Sequence, residues 1–146
     1  VPFTFTASPD LKVGLTGTRN GMTGRQRQEV VRWLANHQTE EARHGDCIGA
    51  DEEFHHIALT DAVRRIVIHP PDNDRFRAFC EGGIFGPTEV VILPPRPYII
   101  RDHAMVDAVD VLLATPATRR EVLHSGTWAT VRYAKKIRRE LHVFLP

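Results

Sequence analysis

Four short apolar runs in this chain each stop at a cluster of glycines and polar residues. "TGTRNG" follows "LKVGL", "GDCIGAD" follows "EEARH", "HPPDND" begins at the end of "RRIVI", and "ATPATRREVLHSGT" follows "AVDVLL". Segments of helical spacing lie between most of them. Strands that alternate with helices close most simply into a parallel sheet, because parallel neighbours need a crossover between them. Ligands of such sheets bind outside the carboxyl ends of the strands, at the point where strand order reverses. The same clusters therefore define the expected fold and the expected site. The expectation is one Rossmann-like α/β domain over residues 1–146, a mostly parallel sheet flanked by helices, with residues 1–10 as an N-terminal arm.

Local signals place the elements. Thr23-x-x-Gln26 is a capping-box pattern, so a helix is predicted from Thr23 to about His37 with Val30, Val31 and Leu34 inward. Asp51 is the expected cap of the next helix, with Glu52 and Glu53 in its first turn. "RRIVIHPP" reads as a strand stopped by prolines, "DNDRFRAFC" as a short helix, and "TEVVILPP" as an edge strand. A helix is expected around Asp102 to Asp107, then a buried strand in "AVDVLLATP". Ser125 or Thr127 opens the last helix, with Trp128, Val131, Ala134 and Ile137 inward. "ELHVFLP" closes the sheet.

Composition narrows the class of protein. A chain of 146 residues with 42% apolar and 25% charged residues is an ordinary globular domain. A net charge of +1 makes no general demand for nucleic acid. Cys47 and Cys80 make no disulfide framework. No apolar run reaches the length of a membrane span, and "VPFTFTASPD" lacks the pattern of a signal peptide. The expected setting is cytoplasmic, without membrane contact.

The first cluster matches neither G-x-G-x-x-G nor G-K-[ST]. Its glycines still let backbone N–H groups approach an anion, and Gly17, Thr18, Arg19 and Asn20 are candidate ligand contacts. Ser125, Gly126 and Thr127 open a helix, where free N–H groups favour a phosphate. Gly45, Asp46, Gly49 and Asp51 form the second loop, with Asp46 suited to a ribose hydroxyl. His69 ends a strand and is expected to line the pocket. His55 and His56 show no metal-ligand spacing, so no metal and no cofactor are expected. No activating partner marks Cys47 as a nucleophile. Arg132, Lys135, Lys136, Arg138 and Arg139 crowd one helix without the aromatic ladder that stacks bases.

Three passages together resemble the SLOG superfamily, which includes the DNA-processing protein A (Smf) family and the LOG phosphoribohydrolases. "GLTGTRNGMT" resembles its first phosphate loop. "HGDCIGADEEFHHIAL" resembles the glycine turn and helix S-G-x-A-x-G-I-D-x-x-A-H. "HSGTWATVRYAKKIRRELHVFLP" resembles the S-G-[ST]-x-x-T-A-x-x-A helix and its following strand, most of all in small standalone YspA-type members. The resemblance runs from Lys12 to Pro146. It implies nucleotide binding, pocket roles for Arg101, Asp102 and Thr130, and a homo-oligomer, with Trp128 and Tyr133 on the last helix as candidate contacts. LOG enzymes carry a glutamate in P-G-G-x-G-T-x-x-E that serves glycosidic cleavage; here that position holds Thr130, which cannot act as a carboxylate does.

Three readings stay open. The first is a module that binds or senses a nucleotide or nucleotide-derived ligand. The second is an N-glycosidic hydrolase using another acid, with Asp46 and Asp102 the foremost candidates and Asp51, Glu81 and Glu89 behind them. The third is a nucleic-acid-binding relative of DNA-processing protein A.

Overall fold

The computed structural model describes residues 10–82 and 86–146. The expected N-terminal arm, Asp10 apart, lies outside the described residues, as does the centre of the "EGGIFGP" loop. The chain runs β1 (Leu11–Gly17), α1 (Gly24–Asn36), β2 (Thr39–His44), α2 (Ala50–Thr60) and β3 (Arg65–Ile68). A 3-10 turn (Asp74–Phe76) leads to β4 (Glu89–Ile92), followed by α3 (Tyr98–Ala108), β5 (Val111–Thr115), α4 (Gly126–Lys136) and β6 (Glu140–Val143). All five strand pairings are parallel, in the order β4-β3-β2-β1-β5-β6. None of the described helices is long and apolar enough to cross a membrane.

The sheet is covered differently on its two faces. Val13, Leu15, Ala42, Ile66, Ile68, Val111 and Leu113 form one core with Val30 and Leu34 of α1 and Phe54 and Ala58 of α2. Leu112 packs with Met105 and Val106 of α3 and Ala134 of α4, while Ala114 packs with Trp128 and Val131. Alternate residues of β5 thus serve opposite cores, which is why "VLLAT" is apolar almost throughout and buried at every position. Each fully buried Leu, Ile or Phe contributes about 1.5–3 kcal/mol.

The capping box forms as the sequence implies. Thr23 accepts the Gln26 N–H at 3.1 Å, and Gln26 Oε1 accepts the Thr23 N–H at 2.9 Å. Gln26 does more than cap. It is fully buried, and its Nε2 donates to the carbonyls of Pro116 and Phe144, each at 2.8 Å. One amide thereby ties the start of α1 to the exits of β5 and β6. The inward stripe of α1 is Gln26, Val30, Trp33 and Leu34, whereas Val31 faces outward at 45% exposure.

Two helix starts differ from expectation. The cap of α2 is Gly49, at φ +89, and Asp51 lies inside the first turn. Its Oδ2 turns back to accept the Cys47 N–H at 3.2 Å, so it braces the loop and does not cap the helix. The third helix begins at Tyr98, not near Asp102, because Pro97 at φ −55 occupies the cap and carries no N–H to satisfy. Of the two aromatic residues named as candidate contacts with another copy, Trp128 is buried within the chain and Tyr133 stays half-exposed. Trp128 is 6% exposed and its Nε1 donates to Thr118 at 3.0 Å. Tyr133 stacks on His103 at 3.7 Å and donates to Asp107 at 2.6 Å.

Replacing Gln26 with Leu would keep the volume and remove the three bonds its side-chain amide makes, leaving the Thr23 bond to its backbone N–H. Two carbonyls and a capping N–H would lose their partner, at about 1–3 kcal/mol for a buried group left unsatisfied. Urea unfolding of Gln26→Leu should show a loss of at least about 2 kcal/mol; a variant as stable as the parent would contradict this role.

Candidate functional site

A cleft of about 470 Å³ opens at the carboxyl ends of β1 and β5, where the strand order reverses. Gly17, Thr18, Arg19 and Asn20 line it from the first loop, and Gly45 and Asp51 from the second. Arg101 and Asp102 enter from α3, and Ser125, Gly126 and Thr127 from the start of α4. Eleven of the residues singled out in the sequence thus share one cavity.

Asp46, Gly49, His69 and Thr130 do not line it. Asp46 is 1% exposed, and its carboxylate accepts from Arg77 Nε at 2.9 Å and from the Cys80 N–H at 2.9 Å. Its carbonyl accepts the Ala78 N–H at 2.7 Å. Asp46 therefore pins the loop after β3 onto the loop after β2, and its carboxylate is buried away from the cleft lining. Gly49 is a packing residue, since a Cβ there would overlap the backbone of Thr18 and Arg19. The Ala50 N–H reaches the Thr18 carbonyl at 3.0 Å, which locks the first loop to α2. His69 Nε2 accepts from Arg43 at 3.1 Å, and its carbonyl accepts from Arg101 Nη1 at 3.3 Å. Thr130 is 2% exposed and donates to the Gly126 carbonyl at 2.9 Å. Thr130 thus sits behind Asp102, which does line the cleft.

Arg101 forms the floor. It is 5% exposed, and a Cβ on Gly45 would overlap its guanidinium, so that glycine is required for Arg101 to lie where it does. Nη2 donates to Cys47 Sγ at 3.2 Å. Nε lies 3.0 Å from Asp102 Oδ1, an ion-pair contact too bent to count as a hydrogen bond. A buried cation met mainly by a sulfur, one carbonyl and a bent carboxylate contact retains donor capacity for an anion.

Burial dominates the titration of the cleft. It pushes the Asp51 carboxyl up to about 7, with the nearby Arg101 charge pulling the other way. It raises Asp102 too, again opposed first by Arg101. The Cys47 thiol is driven up to about 11, so it is protonated at neutral pH and a poor nucleophile. Glu89 sits on the edge strand, 3.2 Å from Arg65, outside the cleft lining.

Beside the cleft, His44, His55 and Cys80 bring three potential metal-ligating atoms within 4.8 Å of one another. Their hydrogen bonds argue against an ion. His44 Nδ1 accepts the Asp46 N–H at 3.0 Å, so the neutral ring carries its proton on Nε2. That N–H points at His55 Nδ1, 2.9 Å away, which leaves His55 Nε2 to donate to the Glu81 carbonyl at 2.6 Å. A metal would need the lone pair of the very nitrogen the backbone keeps protonated. Burial, then the neighbouring His55, lowers the His44 pKa well below its ordinary value, so the relay is neutral.

Sequence reasoning missed the aromatic and basic wall made by Arg75, Phe76 and Tyr98. Arg19 and Arg75 both pack on the Phe76 ring, at 3.9 and 4.9 Å from its centroid, and Arg101 lies 5.0 Å from that of Tyr98. The available signal was an aromatic residue flanked by arginines in "DRFR", just past a strand end.

Removing the Asp46 carboxylate should unfasten two loops at once. Asp46→Ala leaves Arg77, its side chain only 15% exposed, with no closer carboxylate than the exposed Asp74 at 3.8 Å, and places alanine at φ +58. The expected loss is about 3–5 kcal/mol. Asp46→Asn keeps an acceptor for Cys80 and tolerates the left-handed backbone, so it should lose less. Urea unfolding checks the order, and Asp46→Ala matching the parent would contradict it.

No protein-family model and no curated protein matches the chain. Solved structures do. The molybdenum cofactor binding protein from Rippkaea orientalis superposes with a TM-score of 0.68 at 14% identity, over 96% of this chain and 79% of that one. The Moco carrier protein from Chlamydomonas reinhardtii gives 0.61 at 16% identity, over 94% and 78%. DNA processing protein A (DprA) from Streptococcus pneumoniae gives 0.65 at 15% identity, over 92% of this chain but 50% of that protein. At 14 to 16% identity the likeness is one of fold, a single Rossmann-like α/β domain.

Proposed function

We propose that the protein binds a small phosphorylated, nucleotide-like ligand in the cleft between β1 and β5 and holds it without cleaving it. The observation that carries this reading is the set of donors gathered there. Ser125 caps the Trp128 N–H at 3.2 Å, while the Gly126 and Thr127 N–H groups have no acceptor within the helix. Both residues line the cleft, as does the buried Arg101. Helix N-terminal N–H groups together with a buried guanidinium favour a phosphate. A Cβ on Gly126 would meet nothing within 4 Å, so packing does not require glycine there, and a ligand approaching the backbone would. The molybdenum cofactor named for two of the structural neighbours is itself a phosphate-bearing heterocycle, which fits the same donor set.

Asp51 and Asp102, both in the cleft, favour a second reading, N-glycosidic hydrolysis. Arg101 works against it, because a guanidinium beside both carboxyls opposes the positive charge that develops on an oxocarbenium ion. The basic end of α4 supports a nucleic-acid partner less well than the cleft supports a small ligand.

A panel of nucleoside phosphates and molybdenum cofactor, followed by both thermal shift and free-base release, separates the readings. Binding is expected to raise stability by about 2.7 kcal/mol at a hundredfold excess over Kd, with no base released. Gly126→Val should fold as the parent does and bind about tenfold more weakly, a loss of about 1.4 kcal/mol. Absence of any shift across the panel would overturn ligand binding, and base release that disappears in Asp51→Asn or Asp102→Asn would establish the hydrolase.

A further inference from the structure

Resting on the cleft as the ligand site, we propose that Arg19, Arg75 and Phe76 form a second anion subsite at its rim, so that the preferred ligand carries two phosphoryl groups. The first group lies at the start of α4 above Arg101, and the second against the two rim guanidinia.

What sets the two rim arginines apart is that both are gathered on one ring inside the cleft. Arg43, Arg65, Arg77, Arg101 and Arg132 each lie within 3.4 Å of a carboxylate. The side chains of Arg19 and Arg75 form no ion pair and no hydrogen bond with any described residue. Yet both are packed on one ring, at 3.9 and 4.9 Å, and both line the cleft. Each guanidinium gains from the ring face while the two like charges repel, and an anion set between them relieves that repulsion.

The ring is also held in place. The Phe76 carbonyl accepts the Ile48 N–H at 2.9 Å, and the next residue, Arg77, is fixed by the buried Asp46. Asn73 Oδ1 accepts the Arg75 N–H at 3.0 Å and closes the 3-10 turn. Arg19 is held from the other side, because the loop that carries it rests on Gly49 and Ala50. The two guanidinia therefore come from loops 56 residues apart (Arg19 and Arg75) that the fold fastens independently and brings onto one side chain. Cations carried on fastened loops, without local acceptors and lining the same cleft as a helix N-terminus, suit a phosphoryl chain or a second phosphate on the sugar.

Calorimetric titration of the full chain with a nucleoside 5'-monophosphate, its 5'-diphosphate and its 3',5'-bisphosphate tests this. At least one doubly phosphorylated compound should bind tenfold or more tightly than the monophosphate, and which one does so reports where the second group sits. In Arg75→Ala that ratio should fall toward one, and Arg75→Lys should restore part of it. Arg75 is exposed, so folding is not at stake. Equal affinity of all three compounds for the parent would overturn the second subsite while leaving the cleft reading in place. A ratio unchanged in Arg75→Ala would overturn it too. Binding of none of the three would overturn the subsite and count against the cleft reading as well.

Discussion

The right-handed crossover between parallel strands governs the rest of this structure. Winding outward from β1 to β2 and β3 puts α1 and α2 on one face of the sheet. Winding from β5 to β6 puts α4 on the other, with α3 packed beside it. The helices diverge where β1 meets β5, and no side chain can fill the crevice left above that pair. Every feature of the site follows from that gap. The loops after β1, β2 and β3 and the start of α4 are the segments that end there.

Those loops do not stand as separate ligand contacts. They are fastened to one another before any ligand arrives. Gly49 admits the backbone of the first loop, Asp46 holds the third loop to the second, and Gly45 makes room for Arg101. Three residues whose chemistry suggested ligand contact turn out to set the shape of the cleft. A preformed, rigid cleft reduces the ordering cost of binding, which suits a protein that holds its ligand.

Much of the fold could be read in the sequence because its signals are local. The Thr23–Gln26 capping box, the apolar "VLLAT" strand and the Ser125 cap each depend on residues within a few positions. The first loop and the start of α4 could be read for the same reason. The failures are non-local. Asp46 looked free because its partners, Arg77 and Cys80, lie 31 and 34 residues away. Thr130 was placed by its position one turn into α4, but its hydroxyl donates to the Gly126 carbonyl and the residue lies just behind the cleft lining. Asp51 looked like a cap because acids favour helix starts, and position alone cannot tell capping from bracing the preceding loop. The start of α3 was placed too late because "RPYII" carries no polar cap, and a proline took that place. Phe76 and Tyr98 escaped notice because a strand-end aromatic has no local mark of facing a cavity.

The central claim is that an anion is held by the α4 start and Arg101, at the strand switch. Amide chemical-shift mapping with a nucleoside 5'-monophosphate tests it most directly. The account predicts the largest perturbations at Gly126 and Thr127, at the Thr18–Asn20 loop and at the Arg101 side chain. Perturbations confined to the basic end of α4, at Lys135, Lys136, Arg138 and Arg139, with the cleft amides unmoved, would contradict it.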